Sequence, residues 1–154
     1  LSKNFVVFAV MSLAYWFLGW GIMFGDGSPW FGMQGLIGLG YRPTSLPGKP
    51  DHVVIDYEVE CGRFRGTKVK HGFIVPGDFP LTAPSGPHVS PHIHPLKSDG
   101  QHPTGAVHAS QAAPFQQALG DPWQYWSRPF TDWATSKKTV ATYMSHIWRL
   151  WDSQ

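Results

Sequence analysis

The stretch from Pro76 to His108, PGDFPLTAPSGPHVSPHIHPLKSDGQHPTGAVH, limits the possible folds more than any other part of this chain. Half of the fourteen prolines fall in these 33 residues, together with five of the eight histidines: His88, His92, His94, His102 and His108. Proline has no backbone N–H and cannot donate to a ladder, so most of the stretch cannot be central strand. The same missing donor breaks a helix. The stretch is therefore expected to be a long, ordered, extended segment lying on a sheet made by other residues. His92 and His94 are one residue apart, which in an extended chain puts both imidazoles on one side, roughly 7 Å apart along the backbone. His88 shares that side if Pro91 leaves the run unbroken.

Three imidazoles and a water would suit zinc, so His88, His92 and His94 form a candidate metal site. Against it stands the ordinary reading, in which the histidines are partly buried and satisfied by backbone hydrogen bonds. The chain has no HExxH, and its single cysteine, Cys61, excludes an internal disulfide and a multi-cysteine zinc site. Spacing alone carries little specificity, and without those partners the structural reading is favoured over the metal site.

The flanks supply the sheet and its cover. Residues 51–60 alternate, with Val53, Ile55, Tyr57 and Val59 on one face and Val54, Asp56, Glu58 and Glu60 on the other. That period marks a half-buried strand. CGRFRG follows as a hairpin turn, and residues 67–76 alternate again through Val69, His71, Phe73 and Val75. Cys61, at the strand end, has no neighbouring motif that would lower its pKa and reads as structural. The segment PFQQALGDPWQYWSRPFTDW places Phe115, Trp123, Tyr125, Trp126, Phe130 and Trp133 as core or lid residues under a long loop. Beyond it, Val140, Tyr143, Met144, Ile147, Trp148 and Trp151 form one apolar stripe at helical spacing. Thr135 or Ser136 is the expected cap, Lys137 and Lys138 fall in the first turn, and His146 and Arg149 lie on a solvated face. This helix should close over the sheet face of the two alternating strands. The expected class is α+β: a small antiparallel sheet, a long Pro/His-rich loop and a C-terminal amphipathic helix.

The N-terminal part differs in kind. From Phe5 to Gly25 there are 21 residues without a charge. At about 1.5 Å per residue they match the roughly 30 Å of a bilayer core. Tyr15, Trp16 and Trp20 suit a membrane interface, and Gly21 with Gly25 makes a GxxxG pattern. A membrane helix is favoured over a buried core helix, since no face is polar, and over a signal peptide, whose apolar region is shorter. Residues 25–50 are rich in Gly, Pro and Ser and read as loop and linker. Trp30, Phe31, Leu36 and Ile37 break that pattern and are expected on a membrane surface or against the following domain. The boundary is placed near Tyr41, giving segments 1–40 and 41–154. The chain opens on Leu1 rather than Met and reads as a possible fragment. A net charge of +2 with only one lysine pair, Lys137–Lys138, argues against a nucleic-acid partner.

Two resemblances bear on function. KNFVVFAVMSLAYWFLGWGIMFGDG followed by FGMQGLIGLG resembles an early membrane helix of the ammonium transporters and the loop after it. It covers about the first 40 residues, and the remaining helices, aromatic gate and paired pore histidines of that family are missing. This implies a membrane anchor through residues 5–25, or a truncated transporter fragment without transport of its own.

The second resemblance covers roughly residues 53–151 and is to the ubiquitin-conjugating (UBC) fold. GDFPLTAPSGPHVSPHIHP is similar to the run leading to that family's His-Pro-Asn motif, and GAVH to the segment carrying its catalytic cysteine. PWQYWSRP before SKKTV is similar to its Trp-Ser-Pro and the following helix. On this match His94 or His102 stands for the motif histidine and His108 stands where the cysteine would be. Leu96 or Thr104 replaces the asparagine. The thiolate forms the thioester and the asparagine is thought to stabilise the oxyanion, so both losses argue against conjugating activity. The resemblance implies a non-catalytic UBC-like domain that binds a ubiquitin-like protein or a conjugation partner and needs no cofactor. It is joined to a membrane-helix fragment by fusion or by a misassembled junction of two genes. The alternative is a metal-dependent hydrolase using the histidine cluster and Zn. The apolar run, where it belongs to the protein, places it at a membrane; otherwise the chain reads as cytoplasmic.

Overall fold

The alternation at residues 51–60 becomes the longest strand of a six-stranded antiparallel sheet. The computed structural model describes residues 27–93, 107–120 and 122–154. In chain order these form helix α1 (Gly27–Gly38), strands β1 (Thr44–Leu46), β2 (Lys49–Glu58), β3 (Lys68–Ile74), β4 (His88–Ser90) and β5 (Val107–His108), helix α2 (Ala113–Leu119), strand β6 (Gln124–Trp126) and helix α3 (Val140–Asp152). The strand order across the sheet is β1-β2-β3-β4-β6-β5, so β1 and β5 are the edges. The fold is α+β, with the small antiparallel sheet and C-terminal helix expected from the pattern.

One face of the sheet carries the main core. Val53, Ile55, Tyr57 and Val59 from the β2 side, and Val69, Phe73 and Val75 from the β3 side, are all buried there. Tyr143, Met144, Ile147, Leu150 and Trp151 of α3 close over them, as the two periodicities predict. His71 belongs to this face and is fully enclosed. The Trp151 indole Nε1 donates to His71 Nε2 at 2.9 Å, so the neutral ring carries its proton on Nδ1. Burial pushes this imidazole down to about 3. The hairpin between β2 and β3 turns at Gly62 (φ 73°), where a Cβ would also stand 2.3 Å from the Trp151 carbonyl oxygen. Cys61 beside it donates its S–H to the Trp148 carbonyl, and burial raises its pKa. That suits a packing role.

The structure departs from the sequence reading at several places. Residues 25–50, expected as linker, contain α1 and β1. Glycine in this helix costs propensity but permits close approach. A Cβ on Gly35 would lie 2.3 Å from Val140 Cγ2 of α3, and one on Gly32 would lie 3.4 Å from Val75. Leu36 is buried in the main core. Second, α3 starts at Val140 and its cap is Thr139, whose hydroxyl accepts from Thr142 N at 3.2 Å. Ser136, one of the two expected caps, instead donates to the Trp133 carbonyl at the end of a short 3-10 turn, Trp133–Thr135. Lys137 and Lys138 precede the helix. Third, His146 is buried, not solvated. Its Nε2 donates to the Arg128 carbonyl at 3.0 Å and its ring stacks on Phe130 at 4.7 Å. Trp148, assigned to the apolar stripe, is exposed, and Leu150 is buried in its place.

Among the described residues no helix is long and apolar enough to cross a membrane. The expected membrane helix, residues 5–25, lies outside the described residues.

Candidate functional site

The second face of the sheet holds the candidate site. Registers bring Val54 opposite Gly72, Gly72 opposite His88, His88 opposite Tyr125 and Tyr125 opposite His108. These residues form one lateral row from β2 to the β5 edge, and residues in such a row share a face. The short strand β4 is bracketed by Pro87 and Pro91. Only its three residues 88–90, each with a backbone N–H, join the ladder. The proline-rich stretch thus contributes one central strand of minimal length, and that strand carries His88.

Among the described residues, the cover on this side is a turn-and-helix, residues 110–119. The sequence reading placed Phe115 and Trp123 as core or lid under a loop; Phe115 is in fact on helix α2. Phe115 is fully buried with Leu46, Val54, Ala112 and Trp123 in a second core. It presses on Gly72, where a Cβ would stand 2.5 Å from Phe115 Cε1. Glycine at 72 is therefore what admits the phenyl ring to the row.

The result is a file of rings across the sheet. His52 to Phe115 is 5.5 Å between centroids, Phe115 to His88 4.5 Å, His88 to Tyr125 4.9 Å and Tyr125 to His108 6.2 Å. His52 is held at one end by Asp51, with Nδ1 and Oδ1 2.9 Å apart. The Tyr125 hydroxyl accepts from Gly86 N at 3.3 Å. His88 Nδ1 donates to the Gly72 carbonyl at 3.2 Å. Desolvation pushes the His88 imidazole down to about 4; backbone hydrogen bonding at Gly72 and Gln111 opposes that, and the neighbouring His52 adds to it. His88 is thus a neutral, buried member of the row, and His108 is its half-buried end on the edge strand.

The candidate residues separate in space. His88 and His108 are brought to the two sides of Tyr125. His92 leaves the row: it is exposed after β4, and its Nε2 donates to the Trp123 carbonyl at 2.8 Å. The next residue, Ile93, is buried and its N–H is bonded to the Gln124 side chain. His94 and His102 lie outside the described residues. Of the expected zinc ligands, His92 keeps Nδ1 beyond the bond just named, whereas His88 is hydrogen-bonded to the backbone at both Gly72 and Gln111. No group of three His, Cys, Asp or Glu side chains among the described residues converges to hold a metal ion. His52 was not singled out from sequence, and Tyr125 only as a core or lid residue. His52 shares the parity of Val54, and Tyr125 alternates with Trp126; those parities were the available signals.

A cleft of about 720 Å³ opens beside this region, between the proline segment (Pro76, Leu81, Pro84) and the segment Pro129, Phe130 and Trp133. Trp133 Nε1 ties the two together by donating to the Pro80 carbonyl at 3.1 Å and the Leu81 carbonyl at 3.2 Å. Leu81 is 70% exposed at its rim.

Comparison of the chain with protein-family models, with curated proteins and with solved structures finds no match.

Proposed function

We propose that residues 41–154 act as a non-catalytic ubiquitin-conjugating-like binding module for a ubiquitin-like protein or a conjugation partner, tethered to a membrane through residues 5–25. The observation that carries this reading is the placement of His108. It ends the short strand β5 and faces Tyr125 across the pairing with β6. An imidazole at the position that the resemblance assigns to the nucleophile cannot form a thioester with a modifier's C-terminus, which leaves binding rather than transfer.

Support comes from element order. The β2–β3 hairpin leads into the proline run, β4 comes before His94-Pro95 in the chain, and β5 carries the Val-His of GAVH. Trp126-Ser127 then precede the last helix. The cleft rimmed by Leu81 offers exposed apolar area beside aromatic rings, the composition that protein interfaces favour.

Titration of the isotope-labelled full chain in detergent micelles with ubiquitin tests the module. Saturable shifts are expected, weakened by Leu81→Glu. The reading is overturned if no resonance moves at millimolar ubiquitin while stoichiometric zinc is found and is lost in His92→Ala and His94→Ala. That pair of results would favour the metal-dependent hydrolase.

A further inference from the structure

We propose that the outer face of α1, with the adjoining stripe of α3, lies against a lipid bilayer. Helix α1 contains no charged residue. Its inward side is Gly32 and Leu36, against the core. Its outward side is Trp30, Phe31, Gln34 and Ile37, at i, i+1, i+4 and i+7, and three of these four are large and apolar. A helix on a soluble domain normally turns charged or polar residues outward. Here both faces are apolar, so the outer one has no partner within the described residues.

The surface extends beyond α1. Leu39 follows the helix and is 46% exposed. It borders a depression shared with Tyr41, Tyr57 and Glu60 and with Ala141, Ser145 and Trp148 of α3, so one carboxylate stands at its edge. The three α3 residues stand at i, i+4 and i+7, are exposed and carry no charge. Val140, against Gly35, locks the two helices together beneath this surface. A single exposed leucine or tryptophan is ordinary, whereas five large apolar side chains exposed on or beside two adjoining helices, Trp30, Phe31, Ile37, Leu39 and Trp148, with only Gln34 and Ser145 among them, mark an interaction site.

The chain itself favours a bilayer as the occupant. The uncharged run 5–25 ends two residues before α1 begins. Two residues span at most roughly 7 Å, so if that run is inserted, α1 sits at the bilayer surface. Trp30 and Trp148 are the residue type enriched at that boundary. Interfacial helices bury an apolar face by about 5–10 Å at the head-group boundary. Their usual basic opposite face is unnecessary here, because that side of α1 is covered by the domain. The inference rests on the membrane reading of residues 5–25 and is independent of what the UBC-like module binds.

The test uses the full chain with Cys61→Ser, reconstituted into dioleoylphosphatidylcholine vesicles. A nitroxide is attached in turn at Phe31→Cys, Ile37→Cys and Trp148→Cys. Leu81→Cys serves as the water-facing reference and Trp16→Cys reports on the apolar run. The expected result is several-fold fewer collisions with a water-soluble nickel chelate, and several-fold more with oxygen, at 31, 37 and 148 than at 81. If 31, 37 and 148 match 81 while 16 is oxygen-exposed, the run is inserted and the surface proposal is wrong. Shielding of 31, 37 and 148 from both reagents would mean protein covers them, a second copy or another segment, and would also overturn it. If 16 is itself open to the chelate, the surface proposal and the membrane reading fall together.

Discussion

Gly72 and Phe115 are packed closely on the face beneath α2. The glycine sits in β3, where its backbone is ordinary for any residue, so only space decides what it tolerates. An added methyl group would meet three Phe115 ring atoms at 2.9 Å or less. The ring is fully buried and cannot swing away. Gly72→Ala should therefore destabilise the protein by about 1–3 kcal/mol, the usual cost of overpacking. Phe115→Leu in the same chain should recover part of it, and urea unfolding of the two single variants and the double variant measures the coupling. Additive losses would show that the methyl is accommodated elsewhere. The histidines make a separate prediction. Folding lowers His88 from 6.5 to about 4 and His71 to about 3. Well above pH 6.5 both rings are neutral in the folded and the unfolded chain, and their burial costs no proton. As the pH falls below that value, the unfolded chain takes up protons that the folded chain refuses, so stability declines until the folded rings titrate. His88→Gln keeps a donor for the Gly72 carbonyl but cannot titrate. It should remove roughly 2 kcal/mol of the loss between about pH 7.5 and about pH 5. Urea midpoints at the two pH values decide this; an unchanged difference would mean His88 is protonated in the folded state.

At the scale of elements, α3 shows how a correct helix can be given a wrong start. Both Ser136 and Thr139 are good caps by residue type, and only the three-dimensional path of the chain separates them. Thr139 accepts from Thr142 N, whereas Ser136 closes the turn after Trp133. Thr139→Ala should cost about 1 kcal/mol and Ser136→Ala clearly less, read from thermal or urea unfolding. Equal losses would place the cap wrongly. The strands β2 and β3 were legible because a two-sided sheet with one buried face imposes strict alternation. Helix α1 was not, because its glycines argue for loop until Val140 and Val75 are seen to need the space. Strand β4 was hidden by the prolines on either side of it. Helix α2 was hidden by its brevity and by Pro114 in its first turn. The ring row was illegible for a different reason. It is assembled from β2, β3, β4, β5, β6 and α2, and only registers that no local pattern encodes bring His52, His88 and His108 into one file. His146 shows the limit of a moment argument, since it is off the apolar stripe yet enclosed by Phe130 and Arg128.

For the whole molecule, the question is where the folding unit begins. Composition changes near Tyr41, and the strands that define the sheet all come after it. The core, however, reaches further back. Leu36 is 4% exposed, and it lines a small apolar gap with Val53, Phe73, Val75, Val140 and Met144. Without α1 those side chains would meet water at the seam between the sheet and α3. Burial of one leucine is worth roughly 1.5–3 kcal/mol, and the other side chains exposed at the seam add to the loss. A chain beginning at Gly27 should therefore unfold in one cooperative urea transition. A chain beginning at Tyr41 should have its midpoint lowered by at least the equivalent of roughly 2 kcal/mol, with exposed apolar surface that binds a hydrophobic dye. Equal midpoints would confine α1 to the surface and put the start of the folding unit at Tyr41. A lower midpoint for the shorter chain would make α1 part of the core and start the folding unit before Tyr41.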